Sequence, residues 1–191
     1  MSTRADTIPP DDPLRRIQRL EDRAEIGELV ARYCLVMDDR DIPKMPELFT
    51  PDAIVRSNDG VMHAVGLPAV TEMFRGRFSV LGPSNHFTHD RIVRFEDDDP
   101  DAASGIVLAH AEMNRKGQPM LAAIRYADRY RRWRGRWRIA ERVMSFFYYV
   151  PTAEYLDALG PGLARRMRAY DEARPADWPE SLASWQKYYG R

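Results

Sequence analysis

Four histidines, His63, His86, His89 and His110, are the side chains in this sequence best placed to move a proton near neutral pH, because an unperturbed imidazole titrates there. No two of them stand in an H-x-H or H-E-x-x-H arrangement, and Cys34 is the single cysteine. The sequence therefore offers neither a zinc-type ligand set nor an internal disulfide. Carboxylates crowd at Asp38, Asp39 and Asp41, where they could serve chemistry or simply solvate a helix end. Eight arginines between Arg125 and Arg142 could hold phosphate. The interspersed Asp128 and Glu141 and the alternating pattern favour salt-bridged, solvated strand faces instead. Gly105 and Gly135 have no phosphate-loop context and read as turn or bulge glycines. What these residue types offer most directly is acid–base chemistry.

Composition narrows the partners. Lys+Arg and Asp+Glu both total 29, for a formal net charge of zero, which argues against nucleic acid. The hydrophobic fraction of 44%, charged fraction of 30% and mean hydropathy of −0.54 suit a globular protein of 191 residues, long enough to bury about 70% of its extended surface in one core. No apolar run reaches the roughly 18 residues that cross a bilayer. The opening MSTRADTIPPDD has no apolar stretch of the secretory kind, so a cytoplasmic location is expected.

The elements that must position these groups follow from periodicity. Residues 1–12 read as a loose leader. A long amphipathic helix comes next, with Leu14, Ile17, Leu20, Ile26, Leu29, Val30, Tyr33 and Met37 on its apolar side. Pro43 introduces a short helix through Leu48 and Phe49. A hairpin turns at Asn58-Asp59-Gly60, and Gly66-Leu67-Pro68 opens a further helix carrying Val70, Phe74 and Phe78. Four long strands are predicted over about 85–96, 103–114, 121–133 and 137–150. A tail over 151–191 includes an Arg- and Ala-rich helical stretch at 163–173. Segregated helices and strands give an α+β fold: about three helices on a strongly curved antiparallel sheet of five or six strands, a cone enclosing a pocket for a hydrophobic small molecule.

The order and spacing of Ala24-Glu25-Ile26-Gly27-Glu28-Leu29, Arg32-Tyr33, Met37-Asp38-Asp39-Arg40-Asp41, Leu48-Phe49-Thr50-Pro51-Asp52-Ala53, Asn85-His86-Phe87 and Trp133-Arg134-Gly135-Arg136-Trp137 resemble the SnoaL-like branch of the nuclear transport factor 2-like superfamily. The likeness runs over roughly 14–150 and implies the cone-shaped α+β barrel of that superfamily, with 13–150 as the domain and 151–191 as an extension on it or on a neighbouring subunit. Dehydratases and dehydrochlorinases of this group pair an Asp at the end of the first helix with a His on the sheet, and Asp38 and His86 occupy those places. Bile acid dehydratases carry a Tyr five residues before that Asp, where Tyr33 stands. Scytalone dehydratase is similar in its Gln-His-Phe strand start, but has a Tyr where this chain has Met37, and its second catalytic His has no clean counterpart.

The resemblance implies a cofactor-free lyase of dehydratase type acting on a cyclic, steroid-like or polyketide-derived substrate. His86 would be the base, Asp38 its orienting partner and Tyr33 a hydrogen-bond donor. An isomerase or cyclase on the same pair is an alternative, as is a non-catalytic subunit or binding protein like the small subunit of ring-hydroxylating dioxygenases. Structural roles compete with each assignment: Asp38 as a solvated terminus, His86 as a backbone-bonded core histidine. Tyr33 and Asp38 are about 140° apart on an ideal helix, so sharing a pocket requires the helix end to adjust. His110, Tyr126, Asp128 and Phe146 are candidate substrate contacts, although Asp128 could equally pair with an arginine. His89 falls on the strand face opposite His86, and His63 near the rim. Apolar and aromatic residues left on the other sheet face point to a homodimer or homotrimer.

Overall fold

The computed structural model describes residues 12–160 and 164–190. Of the leader expected over 1–12, all but Asp12 lies outside the described residues. The Asp12 carboxylate accepts the Arg15 N–H at 2.9 Å and caps α1 (Pro13–Asp39), which has proline in its first turn. Ile26, Leu29, Val30, Tyr33 and Met37 form its buried stripe. Leu14, Ile17 and Leu20 do not join them; they are 78, 52 and 67% exposed. The helix stops at Arg40, whose left-handed backbone (φ 60°) turns the chain.

A 3₁₀ turn (Ile42–Lys44) and the short α2 (Met45–Leu48) lead into β1 (Phe49–Ser57) and β2 (His63–Val65). Then come α3 (Leu67–Phe78), β3 (Leu81–Phe95), β4 (Ala102–Arg115), β5 (Gln118–Trp133) and β6 (Arg136–Pro151). The six strands form one curved, unclosed sheet in the order β2-β1-β6-β5-β4-β3. The long strands pair antiparallel, as periodicity suggests, but β1 and β6 run parallel. The intervening helix and four strands return the chain to the same side in the same direction. Two-residue turns close the meander at Lys116-Gly117 and Arg134-Gly135, all four with positive φ, the geometry that matches strand twist. Gly105 is no turn glycine: it lies inside β4, where an added Cβ would meet the Ile92 carbonyl at 2.7 Å and the Tyr130 ring at 3.0 Å.

Register shifts in β3 between Thr88 and Arg91, and on β6 opposite Ala123/Ile124 and Arg129/Tyr130, bend the sheet around α1 and α3. The core fills the concave side. A clamp holds α1 to the far end: buried Asp22 accepts from the Trp137 indole at 3.1 Å and pairs with Arg132 at 2.5 Å. The convex face leaves Phe87, Ile92, Ile106 and Leu108 between 40 and 58% exposed.

The tail packs on the same sheet. Tyr149 N–H donates to the Arg166 carbonyl and Arg168 N–H to the Tyr149 carbonyl, both at 2.8 Å. Those bonds to β6 replace intrahelical ones, so the helix expected over 163–173 is absent from the described part, 164–173. The helical pieces are instead a 3₁₀ turn (Thr152–Asp157) and α4 (Ala183–Tyr189). Among the described residues, no helix is long and apolar enough to cross a membrane.

Candidate active site

Asp38 sits in the last turn of α1, where that helix meets the start of β3. His86 Nδ1 lies 2.6 Å from Asp38 Oδ1, and the His86 backbone N–H donates to Oδ2 at 2.7 Å. The Ser84 hydroxyl donates to Oδ1 at 2.8 Å and accepts from Arg40 Nη1 at 2.9 Å, while Arg40 Nη2 donates to the Gly82 carbonyl at 2.6 Å. A carboxylate only accepts, so the contact puts a proton on Nδ1, and in the neutral imidazole it is Nε2 that keeps the lone pair. Burial alone would raise the Asp38 carboxyl; the hydrogen bonds and charge of His86 and the bond from Ser84 together hold it below the ordinary carboxylate value. His86 and Asp38 side chains keep 17 and 15% exposure, enough for a substrate to reach one edge of the imidazole.

His86 and Ser84 form part of a cavity wall completed by Tyr33, Met37, Tyr126, Phe146 and others. Tyr33 and Asp38 need no break in α1. The tyrosine ring lies in the cavity one turn before Met37, and the carboxylate reaches sideways to β3. Tyr33 packs edge-on against Tyr126 with ring centroids 5.9 Å apart. Beneath both rings is Arg142, its guanidinium carbon 4.0 Å from the Tyr33 centroid and 4.2 Å from that of Tyr126. Asp128 holds Arg142 through two bonds of 2.8 and 2.7 Å and accepts from the Tyr130 hydroxyl at 2.7 Å. Burial pushes the Tyr33 and Tyr126 phenols up, against the opposing pull of Arg142. Both phenols therefore stay neutral donors at physiological pH.

Of the residues predicted for substrate contact, Tyr126 and Phe146 line this cavity. Asp128 is committed to Arg142 beneath it. His110 is on the convex face, exposed, with Nδ1 2.7 Å from His89 Nε2; its partner in register is Phe87, one residue out of phase with His86. His63 is exposed on the edge strand β2. Among the described residues, no three His, Cys, Asp or Glu side chains converge as a metal would require.

Three residues of the site escaped the sequence reading. Ser84 is two positions before His86, and alternation alone puts it on the same face. Arg40 reaches the cavity only because of its own left-handed backbone, which nothing in the sequence announces. Arg142 is fully buried, not one of the solvated arginines. Ile139 pairs with Tyr130 and Glu141 with Arg129, so Ala140 is an extra residue that shifts the phase of β6 and turns Arg142 inward.

The cavity leaves only about 30 Å³ open to a water-sized occupant, room for a water or two. Met37, Met113 and Met144 in its wall are the unbranched, polarizable kind of side chain that can re-pack around a guest.

A SnoaL-like domain family matches residues 18–143. Curated proteins give no significant match. Among solved structures, a hexachlorocyclohexane dehydrochlorinase from Novosphingobium barchaimii is 21% identical with a TM-score of 0.64, over 72% of this chain and 94% of its own. A scytalone dehydratase-like protein from Novosphingobium aromaticivorans is 15% identical with a TM-score of 0.67, over 85% and 97%. A nuclear transport factor 2-like superfamily protein from Salmonella enterica is 20% identical with a TM-score of 0.60, over 67% and 92%. At these identities the likeness is one of fold.

Proposed function

The chain belongs to the SnoaL-like domain family, and from that premise we propose that it is a cofactor-independent lyase of dehydratase type, acting on a hydrophobic cyclic, steroid-like or polyketide-derived molecule. The observation that carries this reading is the imidazole of His86, held by Asp38 through ring and backbone at 2.6 and 2.7 Å and facing an apolar cavity. His86 Nε2 takes a proton from the carbon next to a substrate carbonyl. The freed electron pair becomes the carbon–carbon double bond as the bond to a β-hydroxyl breaks. The imidazolium returns its proton to the departing oxygen, and water leaves. Asp38 fixes the tautomer and stabilises the transient cation. Tyr33, a phenol kept protonated by burial, donates to the carbonyl oxygen and not as a proton source.

A substrate of several rings must displace the methionine wall to enter. The exposed apolar residues of the convex face suit self-association into a dimer or trimer. Incubation with a panel of β-hydroxy carbonyl polycycles, followed by enone absorbance and by mass, is the test. Product lighter by one water, formed by the native chain and lost in His86→Ala, is expected; full turnover in that variant discards the assignment. Return of the proton to another carbon would make an isomerase, and attack of the carbanion on a second carbonyl of the same molecule, whose oxygen takes the proton, a cyclase; either product keeps the substrate's mass. Tight ligand binding with no turnover across the panel would identify a binding protein or non-catalytic subunit instead.

A further inference from the structure

Several buried or half-buried arginines are neutralised: Arg132, Arg142, Arg166 and Arg168 each lie within 3.2 Å of a carboxylate. Arg77 and Arg115 are not. Arg77, half-buried in the last turn of α3, donates only to the thioether of Met62, a weak acceptor for a full charge. Arg115, half-buried at the end of β4, lines a groove with Tyr149, whose hydroxyl donates to the Met113 thioether at 2.7 Å. Neither has a carboxylate partner among the described residues, and both act on the same phenol, Tyr149. The negative end of α3 accounts for some cationic character there, but Arg75, exposed and paired with Glu72, already answers it. Arg77 turns inward.

Its position makes that orientation informative. Arg77, Phe146 and Tyr149 line both the cavity holding His86 and a groove of about 360 Å³ that Arg115, Met167 and Tyr170 also line. These three side chains are the partition between a space too small for a substrate and one large enough for part of it. One arginine on that partition and a second on the groove wall, neither met by a carboxylate among the described residues, are matched by something that enters.

We propose that the molecule acted on by His86 carries an oxyanion, a carboxylate, sulfate or phosphate, at the end remote from the reacting carbon. Arg77 and Arg115 hold that group in the groove while the ring system passes Phe146 into the cavity. The identification of this molecule as substrate rests on the lyase reading; the anion preference itself does not. Leaving Met62 costs Arg77 one weak contact, and an oxyanion returns charge-assisted hydrogen bonds.

The test compares anilinonaphthalene sulfonate with its uncharged parent, phenylnaphthylamine, by fluorescence titration of the full chain. The native protein should bind the sulfonate about tenfold more tightly, as one or two added charge-assisted bonds would give. Arg77→Gln should remove that preference while changing the amine's affinity less than about twofold. Arg115→Gln should lower sulfonate binding alone, by a smaller factor, and carries the test if thermal melting shows Arg77→Gln unfolded. Equal affinity for both probes in the native chain, or variants that weaken both alike, overturns the proposal. Neither measurement involves turnover, so this inference and the elimination chemistry can fail separately.

Discussion

Two aspartates in this molecule are each gripped by two hydrogen bonds from one partner, and they end in opposite circumstances. Asp128 meets Arg142 with both side chains fully buried, whereas Asp38 meets His86 with 15 and 17% of the side chains still reachable. Arginine cannot give up its proton in a protein, so the Asp128 pair is fixed in charge; taking both ions out of water demands that they stay together. Histidine can lose and regain its proton, so the Asp38 pair is a device with two states. One Arg142 nitrogen, Nη1, meets no hydrogen-bond acceptor within the usual distance among the described residues and has the two tyrosine rings beside it instead. The buried pair sets where Tyr33 and Tyr126 stand. The accessible pair sets what can happen in front of them.

The contrast can be broken most forcefully from the accessible side. Replacing His86 with Ala should lower turnover by about a thousandfold, within the range for a lost general base, while the thermal midpoint stays nearly unchanged; steady-state assay and calorimetry check both halves. Asp128→Ala should do the reverse, destabilising the fold by about 3–5 kcal/mol by stranding a buried guanidinium, as read from urea midpoints. Asp38→Asn should keep the fold and lower turnover by about a hundredfold, since an amide no longer enforces the tautomer or stabilises the imidazolium.

Acid sharpens the same distinction. The folded Asp38 carboxyl titrates below its ordinary value, so its stabilisation is complete above the unfolded value of about 3.9 and fades as pH falls through the lower folded one. The stability difference between native chain and Asp38→Asn should therefore be flat above about pH 5 and shrink below about pH 4, in urea titrations across that range. Tyr33→Phe should have the smallest effect, less than about tenfold on turnover, because it removes one neutral hydrogen bond.

The sequence was informative wherever a local rule governed. Helical spacing located the buried stripe from Ile26 to Met37, and turn chemistry located Arg134-Gly135 between strands. Meeting of Asp38 with His86 was legible only through resemblance, since no local rule joins residues 48 positions apart. Alternation failed at bulges, which change phase without a residue signature; that is why Arg142 went unnoticed. For His110 the opposite held: counting along β4 places it outward, against its candidacy as a substrate contact, and outward is where it stands. The tail misled because Arg and Ala favour a helix in isolation, while the unpaired edge of β6 offered its backbone a better set of partners. Leu14, Ile17 and Leu20 show that an apolar stripe fixes a face but not the length over which anything covers it.

The attachment of the tail has a consequence for how this protein could diversify. Asp177 accepts the Phe146 N–H at 2.7 Å, and 166–168 bind Tyr149 from behind, so two side chains that line the cavity are braced from outside the matched family domain. Exchange of that appended segment between relatives would retune which molecules fit, leaving the Asp38–His86 pair on α1 and β3 untouched.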